Sequence, residues 1–132
     1  MKTISQDEMQ EILWNACDKD ATGDCFTADR WYKPITEKQL KKISKIMKFI
    51  LFFFPYRDEV RDCDDFAKIA VAVAAIVAPG AAFGEVWADG LAPGYHAQNI
   101  YVDESLTAKL YEPQTQKKEN EKPAGNRVLL KI

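Results

Sequence analysis

One histidine and three cysteines are all that 132 residues supply. A single histidine excludes any site built on two imidazoles and leaves Cys–His chemistry one partner, His96. The cysteines, Cys17, Cys25 and Cys63, cannot all be paired in disulfides within the chain, and no C-x-x-C offers half of a zinc site. Reduced thiols in a cytoplasmic protein are the expectation, with Cys17–Cys25 the pair that would bridge in an exported one. Charge of one sign is also missing: 18 Lys+Arg against 20 Asp+Glu leave a net −2, too weak a field to gather nucleic acid. The longest run of low charge, Phe66 to Phe83, carries Lys68 and Pro79-Gly80, so it is too interrupted to span a bilayer. The opening Met1-Lys2-Thr3-Ile4-Ser5 lacks the apolar stretch of a signal peptide.

What is present suits one globular domain over residues 1–132, with 47% hydrophobic and 29% charged residues. Residues 1–55 read as a helical part and 56–132 as the core. Ser5 and Glu8 form an S-x-x-E capping box for a helix over Ser5 to Cys17, whose apolar stripe is Met9, Ile12, Leu13 and Ala16. Thr36 and Gln39 start a second helix, with Leu40, Ile43, Ile46, Met47 and Ile50 on one face and Pro55 ending it. Phe52, Phe53 and Phe54 are expected in the core. A third helix from Cys63 to just before Pro79 is apolar nearly all round, as a central helix packed on several sides would be. The period then changes to strands at Phe83–Ala88, Tyr95–Val102, Leu106–Glu112 and Arg127–Ile132, with a turn at Asp89 to Gly94 and a polar loop at Gln114 to Gly125. The fold class is α+β: N-terminal helices and a central apolar helix on an antiparallel sheet.

A hairpin turn centred on Glu104 would set Ile100 opposite Ala108 and His96 opposite Glu112. His96, Ile100, Val102, Leu106, Leu110 and Glu112 would then share the face turned to the central helix. Cys63, after the N-cap candidate Asp62, would gain from the helix dipole and the free N–H groups, which favour a thiolate and could hold an oxyanion. Asp64 and Asp65 oppose that effect. In chain order, Cys63, His96 and Glu112 are expected as nucleophile, base and orienting group, with Gln98 and the helix N-terminus as candidate oxyanion donors. Trp87 and Tyr95 could line a cleft.

Asp62-Cys63-Asp64-Asp65-Phe66-Ala67, Gly94-Tyr95-His96-Ala97-Gln98-Asn99 and Leu110-Tyr111-Glu112-Pro113-Gln114-Thr115 together resemble the papain-like cysteine-protease domain of fungal agglutinins and related small phage and bacterial proteins. The resemblance covers about Tyr56 to Thr115. It implies a papain-like core, the triad Cys63, His96 and Glu112, and calcium near Asp64 and Asp65. The chain departs from papain-like enzymes upstream of Cys63, where Arg57, Asp58 and Glu59 stand in place of a glutamine. A separate signal is Asp18-Lys19-Asp20-Ala21-Thr22-Gly23-Asp24-Cys25-Phe26-Thr27-Ala28-Asp29, which fits an EF-hand loop with Asp18, Asp20, Thr22, Asp24 and Asp29 as calcium ligands. Position 12 is Asp instead of Glu, and Pro34 truncates the exit helix.

The leading expectation is thus a small cysteine hydrolase of the peptidase type, acting on a peptide or protein. Two others stand beside it. One is an inactive interaction or inhibitor protein of the phage type, using the acidic stretch Asp58–Asp65 or the lysines after Thr115. The other is a calcium-binding module.

Overall fold

Among the described residues there are three helices, and at the start of the first two a short hydroxyl side chain satisfies a free N–H group. The structure, a computed structural model, describes residues 2–89, 96–119 and 127–132. Helix α1 is Gln6–Asn15; the Ser5 hydroxyl accepts from the Glu8 N–H at 3.2 Å, and the Glu8 carboxylate accepts from the Ser5 N–H at 2.9 Å. Helix α2 is Glu37–Phe53, boxed in the same way by Thr36 and Gln39 at 3.1 and 3.0 Å. Helix α3 is Cys63–Val77, where the Asp65 carboxylate accepts from the Asp62 N–H at 3.2 Å.

Among the described residues the strands are β1 (Ile4–Ser5), β2 (Thr22–Phe26), β3 (Trp31–Tyr32), β4 (Phe83–Ala88), β5 (His96–Val102), β6 (Ala108–Glu112), β7 (Lys117–Glu119) and β8 (Arg127–Lys131). Strands β1 and β3 make a small antiparallel pair. The other six form one sheet in the order β2-β8-β4-β5-β6-β7. The α+β class holds, but the sheet is mixed, because β2 lies parallel to β8 with Gly23 opposite Val128. Gly23 sits at φ 144, and a Cβ there would overlap the Val128 carbonyl, so the close strand contact requires glycine. Part of the stretch expected as a loop, Lys117–Glu119, is a strand paired with β6.

Each face of the sheet has its own core. On one, Val86, Ala88, Ile100, Val102, Leu110, Val128 and Leu130 pack with Met9, Leu13 and Cys17 of the α1 region. On the other, Phe83, Tyr101 and Tyr111 pack with Leu40, Ile43 and Met47 of α2 and with Phe66, Ala70, Val73 and Ala74 of α3. The alanines of α3 let α2 come close on one side and the sheet on another. The third side is open: Ala72, Ala75 and Ile76 are exposed, Ile76 at 81%. The central helix is therefore less enclosed than its composition suggested.

The expected hairpin forms with a register two residues longer, pairing Val102 with Ala108 and Ile100 with Leu110. The cause is the Asp103 carboxylate, which accepts from the N–H groups of Ser105 and Thr107 and widens the turn, leaving Leu106 at φ 59. A two-residue shift keeps every side chain on its face. Which helix that face meets is different from expectation: Ile100, Val102 and Leu110 meet the α1 core, and the central helix covers the opposite face.

Candidate functional site

Strand β5 carries two buried amides in succession, Gln98 and Asn99, at 5% and 0% exposure. Alternation turns them to opposite faces. Asn99 points to α3, donating through Nδ2 to the Ala67 carbonyl at 2.9 Å and the Gly84 carbonyl at 3.0 Å, so one side chain ties helix, β4 and β5 together. Gln98 takes the other face and donates to Glu112 Oε2 at 3.0 Å. His96, two residues earlier on that face, lies with Nε2 at 3.4 Å from the same oxygen. Glu112 Oε1 accepts from the Gln114 N–H at 3.0 Å.

Three of the expected site residues therefore converge: His96, Gln98 and Glu112. Burial pushes the Glu112 carboxyl up, but the bonds from His96, the Gln114 N–H and Gln98, with the charge of His96, outweigh it and hold the group below the ordinary carboxylate range. Two polar atoms of residues bonded to Glu112, Gln98 Oε1 and Gln114 Nε2, are buried with no hydrogen-bond partner among the described residues. One is an acceptor and the other a donor. Gln114 was not among the expected residues. Its signal was present all the same, since the wider register extended past Glu112 sets position 114 across from His96.

Cys63 is the first residue of α3, as expected, and half-buried. Its neighbours are acids. Ligand atoms of Asp62, Cys63 and Asp64 lie within 4.8 Å of one another. The neighbouring Asp64 carboxylate raises Asp62, while Asp62 and then Lys68, at 3.1 Å, lower Asp64 against some burial. Among the described residues no hydrogen bond or ion pair joins Cys63 to His96, and α3 lies on the sheet face away from Gln98 and His96. Trp87, half-buried on β4, donates to Glu85 at 3.2 Å. Tyr95 falls outside the described residues.

The acids expected to hold calcium beside Cys63 have partners within the chain. Asp65 is occupied with the Asp62 N–H and Asp64 with Lys68. Of the stretch read as an EF-hand loop with Asp18, Asp20, Thr22, Asp24 and Asp29, residues Thr22–Phe26 are extended and paired along β8, and Gly23 makes the close approach to Val128 there.

A groove of about 410 Å³ opens at the start of α2, lined by Thr36, Glu37, Tyr101, Asp103 and Lys109 among others. Within it Lys109 lies 2.6 Å from Asp103. It contains none of the converging side chains.

No protein-family profile matches the chain, and no curated protein matches it. Solved structures do. One, titled as a complex of PSL1a with E64, shares 24% identity over 96% of this chain and 51% of its own, with a TM-score of 0.71. Another is a lectin from Polyporus squamosus bound to the human-type influenza-binding epitope Neu5Acα2-6Galβ1-4GlcNAc, at 22% identity over 96% of this chain and 49% of its own, with a TM-score of 0.70. The chain spans about half the length of each. At these identities the likeness is one of fold. It nevertheless corrects the expectations of function: the matched folds are a lectin's, so the papain-like cysteine-protease assignment, the hydrolase with its Cys63–His96–Glu112 triad and the peptide or protein partner are set aside. The inhibitor and calcium-module alternatives gain nothing from these matches either. No helix among the described residues is long and apolar enough to cross a membrane.

Proposed function

We propose that this chain is a carbohydrate-recognising domain, with the Gln98–His96–Glu112 cluster as its polar recognition site. The observation that carries the reading is the pair of unpartnered buried atoms, Gln98 Oε1 and Gln114 Nε2, beside a carboxylate already held by an imidazole and an amide. A sugar hydroxyl is both donor and acceptor, so the hydroxyls of one sugar suit an acceptor such as Gln98 Oε1 and a donor such as Gln114 Nε2. Gln98 and Glu112 are held in place by their strands, which lowers the entropic cost of binding. The likeness in fold to a lectin, one structure of which is titled as holding a sialylated glycan, supports the same class of ligand.

A glycan panel that includes Neu5Acα2-6Galβ1-4GlcNAc, followed by calorimetric titration of any hit, tests the proposal. Binding by the wild-type chain is expected, weakened up to about tenfold by Gln98→Ala or Gln114→Ala as one neutral hydrogen bond is lost. If no glycan binds, or if both variants bind as well as the wild type, this site is not a carbohydrate site.

A further inference from the structure

The exposed face of α2 is divided along its length into a cationic part and an aromatic part. Its buried side is Leu40, Ile43 and Met47, and Ser44 meets the Tyr111 hydroxyl at 3.0 Å. On the outward side Lys38, Lys41, Lys42, Lys45 and Lys48 follow one another at helical spacing, and all are exposed. The same stripe continues into Phe49, Phe52 and Phe53, exposed at 64%, 80% and 58%. Phe54 and Tyr56, at 55% and 51%, extend it past the helix. The only acid within α2 is Glu37, in its first turn.

The phenyl rings gather on each other in place of packing inward. Phe53 stands 4.8 Å from Phe49 and 5.2 Å from Phe52, centroid to centroid, and the Arg61 guanidinium lies 5.4 Å over Phe54. The expectation that Phe52, Phe53 and Phe54 belong to the core is therefore wrong. Asp58 and Glu59 in the following loop are exposed as well, so the cationic character belongs to the helix and not to the turn after it.

We propose that this face of α2 docks on an anionic phospholipid surface, with the helix in the plane of the interface. The lysine ladder meets the headgroup phosphates, and Phe49, Phe52 and Phe53 enter the boundary between headgroups and acyl chains. Charge complementarity selects this occupant: a row of ammonium groups ending in clustered phenyls matches a surface that is anionic outside and apolar beneath. A second copy of the chain would set lysine against lysine if the helices packed in parallel, and would leave the ladder uncompensated if only the phenyls met. The proposal is independent of glycan recognition, because glycan-free vesicles probe it.

The full chain is floated with phosphatidylcholine vesicles, with and without phosphatidylserine, at low and physiological salt. Binding is expected only with phosphatidylserine, weakening by about fivefold for each lysine removed among Lys41→Gln, Lys45→Gln and Lys48→Gln. Phe52→Ser should release the chain from vesicles while its thermal melting is unchanged, since that side chain packs on little else. Equal binding to neutral vesicles, no binding to either, or phosphatidylserine binding indifferent to both sets of variants would each overturn the proposal. So would a concentration-dependent dimer that Phe52→Ser abolishes while vesicles leave the chain unbound, which would assign the face to a second copy.

Discussion

The middle of β5 and the end of α2 invert the usual partition of side chains in opposite senses. Gln98 and Asn99 are polar and buried, whereas Phe49, Phe52 and Phe53 are apolar and open to solvent. A buried amide is tolerated only where its hydrogen bonds are made, so its position is dictated by its neighbours. The Asn99 amide nitrogen meets that requirement through the carbonyls of Ala67 and Gly84, while its Oδ1, like Gln98 Oε1, is buried without a partner among the described residues. The exposed phenyls are under no such demand and contribute little to the fold. The difference separates residues that the fold requires from residues that the fold merely displays.

The largest test of that separation is Asn99→Ala. It removes both donations and leaves the α3 attachment unsupported, for an expected loss of about 2–3 kcal/mol in denaturant unfolding. Next is Glu112→Gln, at about 1–2 kcal/mol near neutral pH, because a charge-assisted acceptor becomes a neutral one. The native Glu112 carboxyl lies below its ordinary value, so its contribution is complete above the unfolded-state pKa and is lost as pH falls through the lower folded one. The gap between wild type and Glu112→Gln should therefore close on acidification, as followed by thermal melting across pH. The smallest effect belongs to Phe52→Ser, expected within about 0.5 kcal/mol of wild type. If Phe52→Ser proves costlier than Asn99→Ala, the contrast between the two regions is false.

Sequence pattern carried the local features well. Ser5 with Glu8 and Thr36 with Gln39 start their helices as their spacing indicated, and period-2 alternation placed His96, Gln98 and Glu112 on one face. Three matters lay beyond it. The two-residue change in register came from the Asp103 carboxylate gathering N–H groups across the turn, a choice among loops of similar composition. Which helix covers which sheet face depends on long-range packing, and alternation alone gives two faces without naming their partners. That Thr22–Phe26 is a strand was hidden because its acids and glycine also suit a loop, and its partner β8 lies about a hundred residues on. The apolar Phe52-Phe53-Phe54 run was assigned inward because hydrophobicity says nothing of which side of a helix the core occupies.

The pairing of β2 with β8 has a consequence for the order of assembly. Residues 22–26 complete the sheet only by meeting residues 127–131, while α2, α3 and the β5–β6 hairpin can close on contacts far nearer in sequence. Entropy of closure and synthesis order both make the distant pair late. Until Arg127–Lys131 leave the ribosome, β4 presents an unpaired edge, and Val86 and Ala88 lack Leu130 and Val128. A nascent chain arrested before residue 127 would thus expose an open strand beside an unfilled apolar layer, the kind of surface that chaperones bind.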